Sequence, residues 1–311
     1  MAKAALAASR AVEVIRHLTA HPELSFTLTE LSAALGVSPA SMSAVLRSLS
    51  ETGFLTRDRR RAYALGPALV AAGHAAHLRH PFIEAARPEM RRLAEFGTEC
   101  VSTVPTGREH IILAIEGEPR GTSRETWVGQ SVPLIPPYGQ IFFAWADQRQ
   151  IDDWINSSRE AAEFREQLLS SLVTVRRLGI TVGLHTPATE ELTRMITMLA
   201  GGGAATQASR RQLAGQIAKQ ADSYLLREIV LDRIYNVANL VGPVFDAEGI
   251  VIFSLTIFGV GKVSGDRLLE LRREMLDSCR RITHLIRGRW PGFAEDVSGA
   301  LDAPETRSHI A

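Results

Sequence analysis

The chain has 311 residues, 45% of them hydrophobic and 22% charged, with a net charge of +1. That length suits about two domains and can bury a core without staples, and the two cysteines, Cys100 and Cys279, exclude a disulfide scaffold and a four-cysteine metal site. The longest nearly apolar run, residues 250–260, is too short for a bilayer span, and the start passes straight into Arg10, Glu13 and Arg16 without a leader's long apolar middle, so a cytoplasmic protein is expected.

Charge is uneven. Residues 1–66 hold eight basic and five acidic groups, which puts them at +3 and the remainder at −2. A first helix is expected from about Ser9 as N-cap, with Ala11, Val14, Ile15 and Leu18 on one face. His21-Pro22 closes it, because the residue before proline is pushed out of the helical region. Thr27 and Glu30 have the spacing of a capping box, and Leu28, Leu31 and Leu35 line the helix that follows, with Gly36 ending it.

A third helix opens at Ser38 as N-cap, with Pro39 at its first position, where a missing N–H costs nothing. Met42, Val45, Leu46 and Leu49 recur at i, i+3, i+4 and i+7 and must face inward. The outward face is then Ala40, Ser41, Ser43, Ala44, Arg47 and Ser48, small or polar with one arginine. Two strands are expected at 54–56 and 62–65, around a tip holding Arg57, Arg59, Arg60 and Arg61. Helix, capped helix, tight turn, helix and basic hairpin is the order of a winged helix-turn-helix. A small-residue face lets a helix approach base edges, and a basic wing reaches phosphates. The candidate DNA-binding residues are therefore Ser38, Ala40, Ser41, Ser43, Ala44, Arg47, Arg57, Arg59, Arg60 and Arg61. The alternative is a three-helix protein-interaction unit with a solvated arginine loop.

Residues 68–78 and 85–93 read as two helices broken at Pro81-Phe82, a linker helix and the first helix of a second domain. His74, His77 and His80 invite a metal reading, yet no nearby carboxylate or cysteine completes a site. Paired strands at 100–104 and 110–115 turn around Thr106-Gly107. Helical stretches are expected at 138–146, 147–171, 189–200 and 209–227, with a short strand at 180–184 and a glycine-rich loop at 201–206. Strands at 236–245 and 250–258 are joined by a turn at 246–249. A last helix from about Gly265 carries Leu268, Leu271, Met275, Cys279, Ile282 and Ile286 on one stripe, and 291–311 reads as a disordered tail.

Catalytic signatures are missing. There is no G-x-S-x-G, H-E-x-x-H or C-x-x-C. The glycines at 259, 261 and 265 fail both phosphate-loop and dinucleotide spacings, because Thr256 and Ser264 stand where glycines are needed, so a turn and helix cap are expected there. No enzyme, cofactor or metal is expected, and an enzyme with a DNA-binding appendage is disfavoured.

Several stretches together resemble the IclR family of transcriptional regulators. They are Leu28-Thr-Glu-Leu-Ser-Ala-Ala-Leu-Gly-Val37, Leu46-Arg-Ser-Leu-Ser-Glu-Thr-Gly-Phe-Leu55, Tyr63-Ala-Leu-Gly66, the loop from Gly129 to Gly139, the hairpin from Leu240 to Val251, and Ser254-Leu-Thr-Ile-Phe-Gly259. The resemblance implies an α+β chain: a winged helix-turn-helix (1–66), a linker helix (67–81), and an effector-binding and oligomerisation domain (82–290) built as a GAF-like six-stranded antiparallel sheet with helices on its faces. It also implies dimers through the N-terminal part and linker helix, often paired into tetramers. Such regulators usually carry an arginine where this chain has Ala44; Arg47, one turn later, is placed to take over its contact.

The family's effector positions correspond here to Gly139, Asp232, Asn239, Thr256 and Phe258, and Ile135 and Pro136, with Trp127 and Phe142, would add apolar wall. A serine-to-Phe258 departure replaces a donor for a carboxylate with a large ring. The expected partners are thus double-stranded operator DNA, a mostly apolar or aromatic effector and a second copy of the chain, with no membrane. Two alternatives stay open: Phe258 fills the cavity, or the second domain only oligomerises.

Overall fold

A computed structural model describes residues 5–79, 81–107, 109–118, 127–157, 164–186, 226 and 228–291. His80, the helix expected at 189–200, all of that expected at 209–227 but Leu226, the glycine-rich loop at 201–206 and the tail beyond Pro291 lie outside the described residues.

The N-terminal helices are α1 (Leu6–Ala20), α2 (Leu28–Leu35) and α3 (Pro39–Glu51), followed by strands β1 (Leu55–Arg57) and β2 (Tyr63–Leu65). Helix α1 starts a turn earlier than expected, with Ala5 as N-cap and Ser9 inside it. Leucine and alanine have the highest helix propensities, and Leu6-Ala7-Ala8 extends the helix past the serine that could have stopped it. The Thr27–Glu30 capping box forms as expected, and Gly36 ends α2 in the left-handed region at φ 63°. Val14, Leu18, Leu31, Met42, Leu46 and Leu55 close one core between the three helices and the hairpin. Phe26 adds a bridge to Tyr63, its N–H donating at 3.0 Å and its carbonyl accepting at 2.7 Å.

Helix α4 (Pro67–Arg79) follows with no buried residue at all. After α5 (Phe82–Ala94) come β3 (Glu99–Thr106), β4 (Glu109–Gly117) and β5 (Ser131–Pro133). Next are α6 (Gln140–Phe143), α7 (Gln148–Ile155), α8 (Arg165–Leu178) and β6 (Thr181–Leu184). The chain then forms β7 (Ile234–Phe245), β8 (Val251–Ser264) and α9 (Gly265–Leu285). The stretch expected as one helix at 147–171 is thus two: α7 closes at Asn156, and α8 runs on to a left-handed Gly179. Tyr138 and Ala146 stand outside α6, which is only four residues long.

Residues 259–264 continue β8 rather than turn. Gly259 and Gly261 adopt φ of 72° and 77°, and the register to β7 shifts between Val237 and Asn239. The glycines therefore make a bulge inside a long strand, a use of positive φ that spacing alone does not separate from a turn. The cap itself is as expected: Ser264 Oγ accepts from the Arg267 N–H at 3.3 Å.

Six antiparallel strands form one sheet in the order β5-β4-β3-β8-β7-β6. One face is covered by α5 and α9: Met90, Leu93, Leu268, Met275 and Cys279 pack on Cys100, Leu240, Leu255 and Ile257. Both cysteines are buried free thiols, and burial pushes each thiol up, so neither is reactive. On the opposite face α6 lies across β7 and β8, its Ile141 and Phe142 sharing a core with Phe245, Val251 and half-buried Val241. The α+β class with an N-terminal helix-turn-helix and an antiparallel sheet is as the sequence implied.

Candidate DNA-reading surface and effector face

Helix α3 and the hairpin carry the candidate reading surface. Inward Met42 and Leu46 are fully buried, and this rotation leaves Ala40, Ala44, Arg47 and Ser48 exposed, with Ser41 and Ser43 half-buried beside them. Ser38 occupies the N-cap position, but its side chain bonds no backbone amide; Ser38 Oγ donates instead to Ser41 Oγ at 3.1 Å. No acidic residue stands in the first turn of α3, so its free N–H groups suit a phosphate oxygen.

The wing is built by the aspartate among its arginines. Asp58 Oδ1 accepts from the Ala62 N–H at 2.8 Å, and the backbone of Asp58 and Ala62 pairs at 2.9 Å. Arg61 takes a left-handed φ of 62° to close the tip, and Arg59, Arg60 and Arg61 are exposed there. Arg57 is set apart on β1, its guanidinium 5.2 Å over the Tyr63 ring, a cation–π contact that stiffens the wing. Sequence reading overlooked Tyr63, whose ring holds Arg57 while its backbone holds Phe26.

The candidate effector residues divide. Cross-strand register places Asn239, Phe258 and Glu99 side by side, with Thr256 one step along between Val241 and Val101, all on the face that α6 covers. Asn239 lies across Gly183 of β6, where a Cβ would stand 2.8 Å from its amide atoms. Thr256 is buried and Phe258 half-buried. Ile135, Pro136 and Gly139 belong to the loop entering α6, which is fixed where the Trp154 indole N–H donates to Tyr138 O at 3.1 Å. Pro136 is buried, and Ile135 and Gly139 are half-buried. Asp232 is not brought to this row: it is exposed in the turn ahead of β7, seven residues from Asn239.

Further polar groups on this face carried no motif. Thr103 and Ser254 join hydroxyls at 2.8 Å, both buried. Gln140, the first residue of α6, is 3% exposed with neither amide atom hydrogen-bonded. The His110 ring packs edge-on against Phe142 at 6.0 Å, and burial pushes its pKa down to about 4 although Glu109 pulls it up. Strand alternation from Thr103 or Ser254 could have marked the hydroxyl pair; nothing local marks Gln140. A separate cavity of about 310 Å³, between the start of α5 and the end of α9, is lined by Phe82, Ala85, Ile252 and Ile286 and holds none of the candidate residues. Among the described residues, no cluster of histidine, cysteine and carboxylate could hold a metal, and no helix is long and apolar enough to cross a membrane.

Residues 7–59 match the family profile of the IclR helix-turn-helix domain. A comparison with curated proteins gives no match. Among solved structures, the chain resembles an IclR transcriptional regulator from Alicyclobacillus acidocaldarius, at 19% identity and a TM-score of 0.60, over 91% of this chain and 100% of that one. HmgR from Pseudomonas aeruginosa aligns at 19% identity and a TM-score of 0.58, over 91% and 99%. An IclR homologue from Microbacterium hydrocarbonoxydans, complexed with 4-hydroxybenzoate, aligns at 14% identity and a TM-score of 0.55, over 88% and 99%. The resemblance read from the sequence therefore holds: residues 7–59 match the IclR helix-turn-helix profile, and the described residues share the fold of IclR regulator structures.

Proposed function

We propose that the chain is a transcriptional regulator that reads duplex DNA through α3 and the wing and responds to a small molecule on the α6 face of its sheet. The observation that carries this is the exposed face of Ala40, Ala44 and Arg47 beside the exposed wing arginines, on an IclR helix-turn-helix. Small side chains bring α3 close to base edges, Arg47 supplies a bidentate donor, and Arg59, Arg60 and Arg61 neutralise phosphates. The working division is a winged unit at 1–66, a linker helix at 67–81 and an effector-binding body at 82–290. No step in this reading is catalytic.

One winged unit covers one half-site, which is small for useful affinity. A second copy supplies the other half of a near-palindrome. Helix α4 offers the surface for it, since Val70 and Leu78 are 75% and 68% exposed.

An apolar or aromatic effector suits the second unit. Phe258, Ile135 and Pro136 supply wall, while Asn239, Thr256 and the Thr103–Ser254 pair orient a ligand. Phe258 is only half-buried, which supports an open rim over a ring that merely fills the core. The 4-hydroxybenzoate complex of the Microbacterium homologue is in keeping with an aromatic ligand.

The test is selection of duplexes from a random library by the full chain. Enrichment of a near-palindrome is the expected result, and no enrichment at low salt refutes the DNA reading. A thermal-shift panel then tests the effector. A ligand at a hundred times its Kd stabilises by about 2.7 kcal/mol, and small keto acids acting while aromatics do not would overturn the ligand class.

A further inference from the structure

The winged unit and the sheet touch along α1. Arg16 Nη2 lies 3.3 Å from Glu109 Oε2, and Ser131 Oγ donates to the same carboxylate oxygen at 2.6 Å. One turn further along α1, Thr19 lies over Gly129, where a Cβ would stand 2.6 Å from Thr19 Cγ2. Gly129 in turn donates its N–H to Ile112 O on β4 at 2.8 Å. All of these contacts fall on β4 and on β5 with its preceding turn, and β5 is the edge strand of the sheet.

Glu109 and His110 are consecutive on β4, so their side chains leave on opposite faces. Glu109 meets Arg16 on one side. On the other, the His110 ring meets Phe142 of α6, the helix laid over the face that carries Asn239 and Thr256. Strand β5 repeats the connection: Ser131 bonds Glu109, and the chain runs on through Ile135 and Pro136 into α6.

We infer that the Glu109–His110 step of β4 is a mechanical link, coupling the position of α6 over the effector face to the docking of α1 and hence to the orientation of the DNA-reading unit. This rests on the function proposed above. The outward face of α3 and the wing tip stay exposed while α1 is docked. Docking therefore holds the reading surface at a fixed angle without masking it, a preorganisation that favours a two-half-site operator.

Hydrogen exchange of the full chain tests the link directly. Glu109→Gln is expected to speed exchange in residues 129–133 and in the second half of α1, and the exchanged pair Arg16→Glu with Glu109→Arg to restore it. Phe142→Leu, a mild change, is expected to speed exchange in the same segments on its own but to add nothing to Glu109→Gln. Affinity of Glu109→Gln for a duplex selected by the wild-type chain should fall about two- to fivefold, the size of a partly exposed ion pair, with a mixed-sequence duplex bound as before. Unchanged exchange in Glu109→Gln, no rescue by the exchanged pair, or additive effects with Phe142→Leu would each overturn the link. If no duplex is selected, the DNA reading fails while the exchange data still decide the link.

Discussion

Acid should weaken this fold through His110, and the size of the effect follows from its burial. The ring is pushed from 6.5 to about 4 because burial penalises the cation, with Glu109 only partly opposing, and Nδ1 has no hydrogen-bond partner. The folded state thus prefers the neutral ring, whereas the unfolded chain takes up a proton near pH 6.5. The stabilisation is complete above about pH 6.5 and is lost as pH falls from there toward 4. With those two values the loss is about 2 kcal/mol at pH 5 and about 3 kcal/mol at pH 4. Urea melts followed by tryptophan fluorescence at a series of pH values, on the wild type and on His110→Phe, isolate this contribution. The phenyl ring keeps the contact with Phe142 and cannot titrate, so the stability difference between the two should shift by about 2 kcal/mol in the variant's favour between pH 7 and 5. Parallel losses in the two proteins would refute the reasoning and place His110 within reach of water.

Arg47→Ala should cost about 1–3 kcal/mol on a selected duplex and relax base preference at one position, whereas Arg60→Ala should weaken all duplexes alike and reduce the salt slope by about one; titrations over a salt series separate the two. Gln140→Leu should raise the melting temperature, because a buried carboxamide without a hydrogen bond costs about 1–3 kcal/mol and leucine removes that cost; a lower melting temperature would show the amide to be paired. Thr27→Ala, which breaks the capping box of α2, should destabilise the winged unit by about 1 kcal/mol, as read from a thermal melt.

Local chemistry determined most of the N-terminal unit. The Thr27–Glu30 box, Gly36, Pro39 and the Met42–Val45–Leu46–Leu49 spacing each act within one or two turns, so their geometry is fixed by neighbours in the chain. The same holds for the stripe of α9 and its Ser264 cap. Ser9 failed as a start signal because capping is a competition, and the alanine-rich residues before it favour helix more strongly than a serine favours ending it. Gly259 and Gly261 failed as turn signals because positive φ serves a bulge as well as a turn, and only pairing along the whole length of β7 decides between them.

The candidate effector face lies beyond such reasoning. Alternation gives each strand two faces, but which residues stand beside Thr256 depends on strand order and register, and these bring Val101 and Val241, 155 and 15 residues away in sequence, to its sides. The pairing of Thr103 with Ser254 follows from the register of β3 on β8, and the burial of Gln140 and the lowered pKa of His110 arise where α6 lies against strands remote from it in the chain. Nor does any spacing announce Arg16 against Glu109. The sequence determined most elements and the candidate DNA-reading helix because hydrogen bonding and periodicity are local; the tertiary structure alone decided the candidate ligand face and the contact between the two units, because desolvation and strand register depend on residues brought together only when the chain has folded.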